Sequence, residues 1–381
     1  MKRGAGGKND SLPPARALSA LFGAAVDLAL AAAAADLVLR FLVIAVYLLS
    51  IRGGHLGVRG FLILVGEPLA LALAAVAALV ARGFFGASSR RWPAAGAAFA
   101  ALCLFHALRP AEVRTVVNGF GLASGRANSV DVEDFSGMAN KDRYPVCRIR
   151  YNSLGYRDEE PSFAAKKGGR RVLLVGDSYV WGDGIPVNEE TLGYLLRAEL
   201  DLREPGRFSV MSAAYPGLGL RGYSRFIDAL SPLDKPDVVV VGYLGESDDD
   251  PLDPQVLLDA LPRSRPLRNL ILNAGAVQDV HENSVRYLSR FWSDPENAAS
   301  IAALVRDMGR KSAERGYRLI LLSYFPHPPL PASIETLDLP AALRYHGRSS
   351  ELWYAKDSHP KTKLNRMLAK LLADTLVSER R

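Results

Sequence analysis

Residues 170–184 read RRVLLVGDSYVWGDG, and the order of residue types in this stretch decides the fold. Val172 to Val175 is a short apolar run of the kind a buried strand needs. Gly176, Asp177 and Ser178 follow at once, where a parallel strand would end. A turn at a strand's mouth can hold the Ser178 hydroxyl clear of its own backbone and aim neighbouring N–H groups at whatever the hydroxyl attacks. Three residues alone are weak grounds, so the weight falls on their surroundings.

Downstream, strand and helix patterns alternate. Asn188, Glu189 and Glu190 resemble a helix start, and Leu192, Leu195, Leu196 and Leu200 supply its buried stripe. Strands are predicted over Phe208 to Ala213, Asp237 to Tyr243 and Arg318 to Tyr324. Helices are predicted over Arg221 to Leu230, Ile301 to Arg315 and Thr362 to Val377. This alternation implies an α/β domain, a flavodoxin-like doubly wound parallel sheet covered on both faces. Ligands of such sheets bind outside the strands' carboxyl ends, and Ser178 stands at one.

Upstream the composition changes. The 381-residue chain is 49% hydrophobic, yet its mean hydropathy is only +0.05, because a very apolar first third is averaged with an ordinary globular remainder. Apolar runs from about Ala17 to Ile51, Gly60 to Ala81 and Pro93 to Leu108 predict a membrane region over residues 1–110 with about three spans. The first run also offers the small residues of a signal-peptide cleavage site, but it is too long for a signal's core. Basic residues at Lys2, Arg3, Lys8 and Arg16, and again at Arg82, Arg90 and Arg91, place those segments in the cytoplasm and everything after Leu108 on the outer side. Arg52 and Arg59 oppose that orientation, and a helical pair within the first run would reverse it. Asp27, Asp36, Arg40 and Glu67 inside the apolar runs fit helix packing better than transport. Residues 111–150 read as a polar linker ending in a short alternating strand, CRIR, and residues 151–381 as the folded domain.

The formal charge of +7 comes from basic residues that are scattered or flank apolar runs, with no aromatic interleaving, so nucleic acid is not an expected partner. Cys103 and Cys147 are far apart and define neither a disulfide framework nor a metal site. No cofactor is expected. The acidic run from Glu246 to Asp250, with Asp253, lacks the spacing of an EF-hand and reads as a solvated loop.

A serine nucleophile needs a base within hydrogen-bond reach and a group to orient that base. Of the six histidines, His55 and His106 fall in the apolar region, His281 in a polar helix-like segment and His346 in a polar loop. His327, in FPHPP, follows a strand but has no carboxylate beside it. His359, in KDSHPKT, has Asp357 two residues earlier and precedes the last helix, although DSHP is also a good helix start.

Together these boxes carry a resemblance. GDS after the first strand of an alternating domain, with Asp-x-His-Pro before the last helix, is similar to the SGNH, or GDSL-type, hydrolase superfamily from about Asn152 to the C-terminus. NSLGYRD (residues 152–158) resembles the lead-in of its membrane-anchored bacterial members. The resemblance implies a serine hydrolase with Ser178 as nucleophile, His359 as base and Asp357 as its orienter. The Ser178 and Gly217 (in AAYPGLG) backbones would then form the oxyanion hole. It also implies a bacterial inner-membrane protein with a periplasmic or extracellular domain. Where the family places Asn in its third block, this chain reads GYLGESDDD, with Ser247 at the Asn position. A hydroxyl reaches less far than an amide, and losing an oxyanion donor costs roughly a hundred- to a thousandfold. An α/β-hydrolase elbow fits less well, because G-x-S-x-G is broken at Val180.

Three functions compete. One is a membrane-anchored esterase acting on acyl esters, acetyl esters of glycans or lipids among them. Another is an O-acyltransferase onto a surface polysaccharide, which would need a membrane acyl-donor partner. The last is a non-catalytic binding module that has lost its third-block donor.

Overall fold

The computed structural model describes residues 116–135, 141, 144–163, 169–248, 253, 255, 295–325, 327, 330–331, 334–343, 349–354 and 358–378. The apolar runs, with their expected spans, and Asp357 lie outside these residues. Among the described residues no helix is long and apolar enough to cross a membrane.

Five parallel strands form the main sheet: β5 (Arg170–Gly176), β6 (Phe208–Ala214), β7 (Val238–Tyr243), β8 (Arg318–Ser323) and β9 (Glu335–Asp338). Their order is β6-β5-β7-β8-β9. This is the 2-1-3-4-5 order of the doubly wound class, and it makes the mouth of β5 a switch point, where the chain leaves to one side and later returns to the other. Each central strand buries both faces, which is why VLLV and VVVV are continuous apolar runs and do not alternate.

Helices cover the two faces. On one, Leu192, Leu196 and Leu200 of α2 (Leu192–Arg203) and Leu364, Leu368 and Leu372 of α6 (Thr362–Val377) pack over Val172, Leu174, Val238 and Val240. On the other, Tyr223, Phe226 and Leu230 of α3 (Leu220–Asp234) and Ile301, Val305 and Met308 of α4 (Pro295–Arg315) pack over Leu173, Val175, Val239 and Val241. The alternation of strand residues between these two sets is the period-two geometry of the pleat. The four-residue α1 (Ser178–Trp181) and α5 (Leu339–Ala342) complete the helices named here.

Residues 116–150 are more than a linker. They carry two antiparallel pairs: β1 (Val116–Val117) with β2 (Ala123–Ser124), and β3 (Val130–Glu133) with β4 (Cys147–Arg150). Strand β4 alternates buried and exposed as CRIR predicts, and Cys147 and Ile149 join the core beneath α2 and α6. Burial pushes the Cys147 thiol up to about 11, so it is a packed thiol and not a nucleophile. Strand β9 was not legible: ETLD is short, polar and half-exposed, and is held at the sheet's edge by a double contact between Glu335 and the Arg318 guanidinium.

Candidate active site

Strand β5 runs into α1 with no connecting loop. Asp177 is the N-cap, its carboxylate accepting the Tyr179 N–H at 2.9 Å, and Gly182 closes the turn in the left-handed region at φ +92°. Ser178 is thus the first helical residue, partly exposed above the sheet. The tightness of this turn depends on Gly176, since a Cβ there would lie 2.3 Å from Val180 Cγ2, and one on Gly242 of β7 would lie 2.5 Å from the same methyl. Val180 therefore fills the space above two strand glycines. That explains in packing terms why the G-x-S-x-G spacing is broken here.

The turn is braced from below by the 152–158 lead-in. Arg157 is buried, and its guanidinium donates to Gly182 O at 2.7 Å, Ile185 O at 2.6 Å and Asn188 Oδ1 at 3.3 Å while lying over the Trp181 ring. Burial holds its pKa below the ordinary guanidinium value, with nearby acidic groups opposing the shift. The next residue, Asp158, accepts from Ser212 N of β6 and from Arg197, each at 2.7 Å. The task of this segment, holding the elbow and the adjacent strand together, depends on partners more than twenty residues away.

His359 arrives from the other end of the chain. Its loop is tied to residues 352–354 by Tyr354 N–H to His359 O (2.9 Å), Ser358 N–H to Tyr354 O (2.9 Å) and Lys361 N–H to Leu352 O (2.8 Å). Ser358 sits at φ +69°, an uncommon region for a non-glycine residue, immediately before His359. His359 Nε2 lies 2.8 Å from Ser178 Oγ. With a neutral imidazole carrying its proton on Nδ1, the serine hydroxyl donates to Nε2, the arrangement in which the ring can take the proton as the oxygen attacks.

The neighbouring strand mouths carry the other predicted positions. The turn after β6 holds Gly217 at φ +79°, and Tyr215 N–H donates to Gly176 O at 3.1 Å, joining that turn to the elbow. After β7, Ser247 lies in a 3-10 turn, Gly245–Asp248, and its side chain is outside the described residues. Asp248 and Asp253 overturn the expectation of a solvated acidic loop, since both are buried. Asp248 accepts from Tyr223 Oη (3.0 Å) and Leu244 N, and Asp253 from Gly219 N (2.9 Å), Gly222 N (2.8 Å) and Gln255 N (2.7 Å). The carboxylates hold the β7 loop against the start of α3, where the orphan N–H groups of a helix end need acceptors.

His327 packs against the Tyr243 ring at 5.8 Å. His55, His106, His281 and His346 lie outside the described residues, as does Asp357. Around His359 the walls are aromatic: the Tyr179 ring centroid is 4.8 Å from the imidazole centroid, and Tyr144 stands edge-on at 6.4 Å. Asp177, fully buried, has its carboxyl pushed up to about 7, mainly by desolvation and against the pull of the Tyr179 N–H and His359.

The chain is similar to several solved structures, each at low sequence identity. TesA matches at 20% identity over 55% of this chain and 99% of its own, with a TM-score of 0.36. The psychrotrophic esterase EstA from Pseudoalteromonas sp. matches at 16% over 55% and 97%, with a TM-score of 0.32. A protein of Desulfitobacterium hafniense, described as lipolytic and of the G-D-S-L family, matches at 13% over 54% and 98%, also at 0.32. No family model matches the chain, and no curated protein matches it in sequence.

Proposed function

We propose that the protein is a serine esterase that cleaves acyl esters. The observation that carries this reading is the 2.8 Å contact between Ser178 Oγ and His359 Nε2 at the mouth of β5, with an aromatic wall around the imidazole. In the proposed reaction His359 removes the Ser178 proton as Oγ attacks the ester carbonyl. The backbone N–H groups of Ser178 and Gly217, with the Ser247 hydroxyl, receive the oxyanion. Collapse of the tetrahedral intermediate returns the proton to the departing alkoxide, and a water activated by His359 then hydrolyses the acyl-serine. Asp357 is the acid proposed to orient His359 through Nδ1. The apolar runs within residues 17–108 are proposed to anchor the chain in a bacterial inner membrane with this domain on the outer side, where esters on glycans or lipids are within reach.

Hydrolysis of short p-nitrophenyl esters tests the reading. Ser178→Ala is expected to lower kcat by about a thousandfold or more without changing the fold. Equal turnover by wild type and variant refutes it.

A further inference from the structure

A carboxylate stands near His359 Nε2. Asp183 Oδ2 lies 3.7 Å from His359 Nε2, the atom that meets Ser178 Oγ, so Asp183 flanks the serine–histidine contact itself. The same oxygen accepts Lys141 Nζ at 2.5 Å. The Asp183 side chain is only 8% exposed and that of Lys141 18%, so solvent screens neither fully. The carboxylate is also fixed in place. Asp183 N–H donates to Ser178 O, Arg157 holds the Gly182 carbonyl on one side, and Tyr354 Oη holds the Gly184 carbonyl on the other. Lys141 comes from the segment between β3 and β4, its ammonium lying 4.9 Å from the centroid of Phe135 and 5.4 Å from that of Tyr144.

We infer that Asp183 and Lys141 are positioning residues that jointly set the proton affinity of His359, an inference that rests on the esterase reading. A carboxylate this close to Nε2 favours the imidazolium formed when the base takes the serine's proton. Left alone it would also favour the protonated form of the resting imidazole, which cannot act as a base. The Lys141 ammonium on the same oxygen offsets that pull. The segment preceding β4 thereby contributes to the chemistry and does more than cover the site. Among the described residues, Ser178, the rings of Tyr179 and Tyr144, and buried Asp177 also face His359, and Asp357 stands two positions before it in the sequence. Asp183 and Lys141 differ from these in forming a pair of opposite charge whose members pull in opposite directions.

The test is an NMR titration of the full chain labelled with 13C at histidine Cε1, the His359 resonance being assigned by its loss in His359→Asn. Asp183→Asn is expected to lower the His359 pKa by about one unit and Lys141→Met to raise it by about half a unit, at the low end of the effect of a nearby charge. Lys141→Arg, which keeps both charge and reach, is expected to restore the wild-type titration. The acid limb of the kcat/KM profile should move with the NMR value in each variant. Shifts of less than about 0.2 units, or shifts of the same sign in both charge-removing variants, overturn the inference, because either result would show that the two charges do not act on His359. Opposite shifts in a protein whose ester turnover survives Ser178→Ala would leave the charge pair standing and remove the esterase reading, so the two failures are separable.

Discussion

The turn that carries Ser178 and the loop that carries His359 meet at 2.8 Å but are built by different means. The serine turn leaves the central strand directly, is capped by its own Asp177 and closed by Gly182, and rests on two strand glycines through Val180. The histidine loop continues no strand of the main sheet among the described residues. It is hung from residues 352–354 by backbone hydrogen bonds, an isolated bridge between Trp353 and Pro360, and one residue at positive φ. It reaches the elbow through Tyr354 Oη, which donates to Gly184 O at 2.8 Å, and its following helix α6 is anchored by Thr362 Oγ1 on the Glu190 carboxylate. The placement of Ser178 is therefore a local property of the sheet, whereas that of His359 depends on a few long-range contacts.

If the elbow is the rigid side, its brace should be the costliest part to remove. Arg157→Met strips donors from two buried carbonyls and from Asn188. It is expected to cost about 3–5 kcal/mol in urea unfolding and to lower esterase activity with it, since each orphaned buried acceptor costs roughly 1–3 kcal/mol. A loss within 0.5 kcal/mol, on the order of an ordinary surface change, would mean the brace is dispensable.

Asp177 sharpens the same side through pH. Its carboxyl holds its proton until pH about 7 when folded and releases it near the ordinary 3.8 when unfolded. The folded state therefore binds more protons between these values, and stability falls as pH rises through that window and levels off above it. Wild-type stability should fall faster than that of Asp177→Asn between pH 4 and 7, by on the order of 1 kcal/mol per pH unit. Parallel pH profiles would show that the carboxyl is not desolvated.

The histidine side should respond more gently. Tyr354→Phe removes one hydrogen bond to Gly184 O. It should cost about 1 kcal/mol or less in stability and lower kcat by a few fold, because the bridge at Trp353 still carries the loop. A loss as large as that of Arg157→Met would erase the distinction between the two sides.

What the sequence made legible follows the same division. The GDS turn, the apolar strands β5, β7 and β8, and helix α6 announce themselves through local pattern, since burial on both faces leaves unbroken apolar runs and a helix on one face leaves a stripe. His359 and Asp357 were legible as a motif beside a helix start, but nothing local says that residue 359 meets residue 178. Asp183 was read only as part of the block around Ser178. Its ion pair with Lys141 joins positions 42 apart in the chain, and Lys141 fell in a stretch whose Gly, Asn and Ser content suggested a linker. Short strands β1, β3 and β9 stayed hidden for a related reason. Two to four residues carry too little periodicity to separate strand from loop. Burial of Asp248 and Asp253 was masked by their charge, because their acceptors serve helix and loop N–H groups that only the fold brings near.

The central claim is that His359 activates Ser178, and the rate of covalent labelling by a fluorophosphonate probe, located by peptide mass spectrometry, tests it most directly. The wild-type chain should label at Ser178, and His359→Asn, with its fold intact by circular dichroism, should label about a thousandfold more slowly. Equal labelling rates in the two proteins, or a label on a residue other than Ser178, would contradict the account.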